Sequence, residues 1–145
     1  MTVRAVEQEL RRGREDGYEF LEPALDRLEA VDDFPRGPTD WIGVVPIDGS
    51  PRNDVPEVIE KLDRGEAHAL YRAWPDRTLA SDDLDARQLA KSRDVPVTGS
   101  IGILAAGVES GELSVETADD WLDVWRDTGY YSPVDSVAEL VDSPD

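Results

Sequence analysis

The sequence has no cysteine and a single histidine, His68. The lack of cysteine excludes disulfides, thiol nucleophiles and sulfur-ligated zinc sites, and it leaves the redox compartment without a sequence signature. One histidine cannot build a zinc centre, and His68 has no serine partner that would suggest a Ser-His nucleophile. We therefore expect His68 to have a surface or packing role. Metal chemistry would then rely on oxygen ligands, which suit Mg²⁺ and Mn²⁺.

Four longer patterns are also absent from the chain. Neither glycine-rich phosphate-binding loop occurs, GxGxxG or GxxxxGK followed by Ser or Thr. No apolar run is long enough to span a membrane, and there is no signal-peptide pattern. These absences argue against nucleotide-binding proteins of the P-loop or Rossmann type and against membrane proteins. We expect a cytoplasmic protein with no membrane partner.

Lysine is scarce, and acidic residues outnumber basic ones by more than two to one. The 145 residues include 33 Asp and Glu against 15 Lys and Arg, only Lys61 and Lys91 are lysines, and the net charge is −18. This composition is typical of salt-accumulating halophiles such as halophilic archaea, because dense carboxylates repel one another unless salt screens them. Four Trp, four Tyr and regular apolar periodicity favour a packed core over disorder. At molar salt the acidity weighs little for or against a nucleic-acid substrate.

The apolar periodicity predicts short strands among many helices. Short apolar runs indicate strands at residues 41–46, 77–80 and 95–98. Helical spacing indicates helices over residues 3–14, 18–30, 55–62, 65–74, 84–92, 101–110, 115–128 and 133–141. We therefore predict one domain over residues 1–145, of α/β class, with a small parallel sheet and helices on both of its faces.

Ser81, Asp82 and Asp83 stand where a predicted strand ends and a predicted helix begins. One interpretation is capping, in which Ser81 or Asp82 accepts hydrogen bonds from the first-turn amides and Asp83 favours the positive helix end. The other is a divalent metal site, because ligands of open α/β sheets bind outside the carboxyl ends of the strands. On spacing alone, capping is the more common arrangement.

Several segments follow one another in an order and spacing found in a known family. They are VRAVEQEL at residues 3–10, GEAHAL at 65–70, LASDDLDARQLA at 79–90, VPVTGSIGIL at 95–104 and GEL at 111–113. The last four are similar to GEAEAL, LLTDDxxARxxA, VxGTxGIL and GxL segments, and the first is similar to a helix with an acidic residue just before a leucine. Together they resemble the PIN domain, specifically its branch of short PIN-like predicted nucleic-acid-binding proteins.

The resemblance implies a metal-dependent nuclease that acts on RNA, often as the toxin of a toxin–antitoxin pair. The family gathers three or four acidic residues at one end of a parallel sheet, where they hold Mg²⁺ or Mn²⁺. By position, Glu9 matches the acid of the first helix, Glu66 the acid that opens the middle helix, and Asp82 the residue after the fourth strand. Asp83 and Asp85 are both near enough to be the remaining acid. Besides RNA, the implied partners are an antitoxin protein and a second copy of the chain.

One part of the family pattern has no counterpart in the sequence. The family begins with a strand that ends in a metal-binding Asp, whereas this chain starts at Met1-Thr2-Val3, directly at the next helix. We therefore expect the first strand and its Asp to be missing. The alternative to a nuclease is then a catalytically degenerate PIN-like module for binding or assembly. A phosphoacceptor or nucleotide-binding domain around Asp82 and Asp83 is a third hypothesis, although no glycine loop supports it.

The tryptophans of the predicted helix at residues 115–128 raise a further question about partners. Trp121 and Trp125 are four residues apart, so we expect them to share one face of that helix. Core packing is the simplest role for such a pair. A groove that binds an antitoxin or a second copy of the chain is the alternative.

Overall fold

The computed structural model describes residues 1–32, 39–45, 62–73 and 77–141, which belong to two compact units. The first unit consists of Met1–Leu79 and Leu84–Pro96, and the second of Ala80–Asp83 and Val97–Asp145. Of the helix predicted at residues 55–62, only Leu62 lies within the described residues, and it is in a bend. No helix in these ranges combines the length and the apolar composition that crossing a bilayer requires.

Helices and short strands are interspersed along the chain. The strands are β1 (Thr2–Val3), β2 (Leu28–Ala30), β3 (Ile42–Val45), β4 (Leu79–Ala80) and β5 (Val97–Thr98). The helices are α1 (Arg4–Glu15), α2 (Glu22–Leu25), α3 (Arg64–Ala73), α4 (Leu84–Ser92), α5 (Ser100–Glu109), α6 (Val115–Asp127) and α7 (Ala138–Val141), and a 3₁₀ helix at Glu19–Leu21 precedes α2. Helices α3 to α6 lie close to their predicted bounds.

Three strands of the first unit form a parallel sheet in the order β1-β3-β2, with β3 at its centre. Val44 of β3 pairs with Thr2 of β1 on one side and with Ala30 of β2 on the other. Both Val44 and Val45 are 1% exposed, as expected for a central parallel strand covered on both faces. A buried cluster packs at this sheet, formed by Val3, Ala5 and Val45 with Val6, Val31 and Ala69 around them. The predicted α/β class, with a small parallel sheet flanked by helices, is confirmed.

The segments that form this sheet differ from those that were predicted to form it. Residues 18–30, predicted as one helix, instead form the 3₁₀ helix, α2 and the strand β2. The residues of β2 are not strong strand formers, but each pairs in register with β3, so tertiary contact overrides local propensity. At the N-terminus, Thr2–Val3 is a strand and the first helix begins at Arg4 rather than at Val3. The predicted strands 77–80 and 95–98 do not join this sheet.

Instead, β4 and β5 pair with each other in a separate two-stranded sheet. In the first unit, the backbone N–H of Leu79 donates to the carbonyl of Pro96 at 2.8 Å. In the second unit, the N–H of Ser81 donates to the carbonyl of Thr98 at 3.0 Å. The second of these bonds holds the acidic turn that starts at Ser81 beside the segment that leads into α5.

The second unit packs α5, α6 and α7 around a small core. Its buried residues are Leu104, Ala105, Ala118, Leu122 and Val137. Ser114 is the N-cap of helix α6, because its hydroxyl accepts from the N–H of Thr117 at 3.1 Å. The terminal helix is shorter than predicted, since the hydroxyl of Ser136 accepts from the N–H of Ala138 at 3.1 Å and so caps α7 at that point.

The two tryptophans of α6 have different environments. Trp125 packs against the core of the second unit, and its ring meets the ring of Tyr130 edge-on with centroids 5.6 Å apart. Trp121 is 47% exposed. The core interpretation therefore holds for Trp125, whereas Trp121 lies at the surface of the second unit.

Candidate functional site

Two of the predicted site residues lie together in the first unit, where α1 packs against α3. Glu9 of α1 points its carboxylate at Gly65, in the first turn of α3. The position that a Cβ on Gly65 would occupy is 2.8 Å from Oε1 of Glu9 and 3.1 Å from Oε2. Only a residue without a side chain allows this approach. Glu66 follows Gly65 directly and is half-buried, whereas Glu9 is exposed.

Because Gly65 makes room for Glu9, we expect Gly65→Ala to displace the Glu9 carboxylate. The added methyl would lie 2.8 Å from the end of a flexible side chain, which can swing away at little cost. Alanine also favours a helix over glycine by up to about 1 kcal/mol, so stability should change by no more than about that amount. A crystal structure of the variant, with its melting temperature, measures both effects. An unmoved Glu9 carboxylate would contradict the proposed contact.

Asp82 has a different environment, in the second unit. Its Oδ1 accepts from the backbone N–H of Ser100 at 2.9 Å, and its Oδ2 accepts from the hydroxyl of Ser100 at 2.5 Å. Ser100 is the first residue of α5, where backbone N–H groups have no partner within the helix and the helix dipole is positive. Asp82 therefore binds the start of α5, whereas the predicted capping was at the start of α4. A carboxylate has about four lone-pair positions, so acceptor capacity remains.

The structure does not separate Asp83 from Asp85. The backbone N–H of Asp83 donates to the hydroxyl of Ser81 at 3.1 Å, which closes a short turn before α4. Asp85 lies in the first turn of α4, where a carboxylate is favourable to the helix dipole. Both side chains are exposed. Either remains a candidate for the fourth acid.

The predicted acids provide the chemistry that a divalent ion needs, but they do so in small groups. Glu9 and Glu66 are a pair of carboxylates, and Mg²⁺ is commonly bound through one or two carboxylates plus water and substrate phosphate. This pair fits such an ion. Across the described ranges, no group of three or more His, Asp or Glu side chains could hold a metal ion. The three-carboxylate centre that the resemblance implies is thus not assembled there.

A cationic cavity on the same pair of helices was missed in the sequence. It has a volume of about 100 Å³ and is lined by Arg4, Ala5 and Gln8 of α1 and by Arg64 and His68 of α3. Burial lowers the pKa of His68 below its usual 6.5, and the charge of Arg64 lowers it further, so the imidazole is neutral at pH 7. The sequence did contain a signal for this cavity. Its polar residues fall four apart on each helix, which places them on one face.

Comparison with known proteins places the chain in a family. A family model described as PIN domain matches residues 5–143, which is nearly the whole chain. No curated protein and no solved structure matches it significantly. PIN domains are in general nucleases that depend on divalent metals and act on RNA. The extent of the match, together with the parallel sheet and the acids at the start of α3, identifies this chain as a member of the PIN domain family.

Proposed function

We propose that this protein is a metal-dependent endoribonuclease of the PIN type. The observation that carries the proposal is the close approach of the Glu9 carboxylate to Gly65, immediately before Glu66. Glu66 is in the first turn of α3, so both acids belong to the contact between α1 and α3. Family membership supplies the reason to expect a cation there, since PIN domains generally depend on divalent metals.

In this proposal each acid has a stated role. Glu9 and Glu66 hold Mg²⁺ or Mn²⁺, Asp82 is a further metal-binding acid, and Asp83 or Asp85 is the fourth acid. The chemistry that such an ion supplies is activation of water and neutralisation of the charge that develops on the phosphate. Ser100 is the positioning residue for Asp82, because its N–H and hydroxyl fix both carboxylate oxygens.

The finer parts of the proposal concern the biological setting. We include a toxin role with an antitoxin protein as partner, a homodimer, and one PIN-like domain spanning residues 1–145. The exposed Trp121, beside Val124 with 62% exposure, is the surface of α6 that a partner could cover. Size-exclusion chromatography with light scattering measures the oligomeric state directly.

Changes that remove the charge but keep the side-chain shape test the site. We expect Glu9→Gln, Glu66→Gln and Asp82→Asn each to lower Mn²⁺-dependent cleavage of a labelled RNA by about 100-fold or more, since even residues that only orient metal ligands are worth about 10- to 100-fold. The matched control is Glu7→Gln, which removes the same charge from α1 but breaks only an exposed pair with Arg11. Cleavage by the three site variants at the rate of the control would refute the assignment.

The second candidate function is a PIN-like module that binds or assembles without cutting. It is favoured by the use of both Asp82 oxygens as a cap for α5, which is a structural role. This candidate predicts no cleavage by the unaltered protein and no specific Mn²⁺ binding in titration calorimetry at high KCl. A tight Mn²⁺ isotherm that Asp82→Asn removes would exclude it.

A further inference from the structure

The cationic cavity between α1 and α3 contrasts with the charge of the chain as a whole. In a protein of net charge −18, the described residues that line it are two arginines, one glutamine, one histidine and a buried alanine, none of which carries a carboxylate. Its volume of about 100 Å³ is several times the roughly 30 Å³ that a water molecule occupies in the liquid. There is therefore room for a group of several atoms.

The two arginines of this cavity are available for a ligand. The ion pairs within the described residues involve Arg11, Arg14 and Arg126, and neither Arg4 nor Arg64 takes part in them. Arginine stays protonated at all relevant pH values, and its planar fork matches the oxygens of a phosphate. The two guanidinium groups form none of the ion pairs seen among the described residues. They therefore give the cavity a fixed positive charge that favours binding of an anion.

The rest of the lining adds donors to that charge. Gln8 and His68 can each donate an N–H group to an oxygen. Arg4 and Arg64 are also the first residues of α1 and α3, so the positive ends of both helix dipoles lie at the cavity. Charge, donors and dipoles all favour an oxyanion of small size.

The cavity is also next to the acidic pair. Arg64 is bonded to Gly65, which the Glu9 carboxylate contacts, and Glu66 follows. We propose that this cavity binds a phosphate group of the RNA backbone and so holds the strand beside Glu9 and Glu66. The inference rests on the proposed function for its substrate. It adds Arg4, Gln8, Arg64 and His68 to the residues that contact that substrate.

Binding without cleavage tests the inference separately from the nuclease. The probe is a fluorescein-labelled single-stranded RNA, followed by anisotropy in EDTA over a series of KCl concentrations. We expect Arg4→Gln and Arg64→Gln each to weaken binding about tenfold, the range for one hydrogen-bonded charged contact. Each should also reduce the slope of log affinity against log salt by about 0.7. The matched control is Arg11→Gln, which removes the same charge from α1 outside the cavity.

The possible outcomes separate the two proposals. Weaker binding by both cavity variants, with the control unchanged, supports the cavity even if the protein never cuts RNA. If RNA affinity changes equally in all three variants, or in none, the cavity does not bind the RNA phosphate. Cleavage activity would still be evidence for the nuclease in that case. A final titration uses inorganic phosphate in place of RNA. If Arg64→Gln abolishes phosphate binding and the unaltered protein binds no RNA, the ligand of the cavity is free phosphate and not the RNA strand.

Discussion

Raising KCl from about 0.1 M to about 1 M is expected to raise the melting temperature of this protein by about 10 °C or more. The cause is self-repulsion among 33 acidic side chains that 15 basic ones only partly balance. The Debye length falls from about 10 Å to about 3 Å over this range, so carboxylates on neighbouring helix turns cease to interact. The ion pairs of the described residues offer little compensation, because each has at least one solvent-exposed partner.

A variant with fewer charges separates screening from other salt effects. Asp120 and Asp127 are exposed on α6, and Asp127 ends that helix, where a negative charge opposes the dipole. We expect Asp120→Asn with Asp127→Asn to raise the melting temperature at low salt and to change it little at high salt. Scanning calorimetry at both salt concentrations measures the difference. A melting temperature that falls with added KCl would contradict the charge argument.

Leu122→Ala is expected to cost about 2–5 kcal/mol of the free energy of unfolding. Leu122 is 0% exposed and lies in the core of the second unit with Leu104, Ala118 and Val137. Removing its side chain leaves a cavity that helices α5, α6 and α7 cannot easily close. Since proteins of this size are stable by about 5–15 kcal/mol, the loss is a large part of the total.

The same helix provides the control for this measurement. Val124 is 62% exposed, so Val124→Ala should change the free energy of unfolding by no more than about 0.5 kcal/mol. Urea unfolding at high KCl, followed by tryptophan fluorescence, reports on this unit because Trp125 packs against its core. If the two variants had the same midpoint, Leu122 would not be the packing centre of the second unit.

The sequence predicted the helices that carry their own signals. Helix α6 has a serine cap and apolar residues at helical spacing, and α4 has the same periodicity after the acidic turn. The strand β2 was missed because Leu28–Ala30 contains no strand signal, and only pairing with β3 makes it extended. A contact made by a later segment cannot be read from a three-residue window.

The candidate site could be predicted only in part, and the reason is the same. The carboxylates could be chosen from the sequence, but their surroundings depend on contacts between distant segments. Nothing near Asp82 in the sequence indicates that Ser100 would bind both of its oxygens. Likewise, Gly65 looked like the opening of a helix, and its role in admitting the Glu9 carboxylate required the packing of α1 on α3.

The strand order β1-β3-β2 has a consequence for how the chain is made in the cell. The central strand Ile42–Val45 is the last of the three to be synthesised, and among the described residues each outer strand pairs with it alone. As the polypeptide leaves the ribosome, Thr2–Val3 and Leu28–Ala30 must therefore wait without partners until β3 emerges. Their exposed edges are open to association with other chains during that interval. A pause in synthesis before Ile42–Val45 has left the ribosome would prolong this interval.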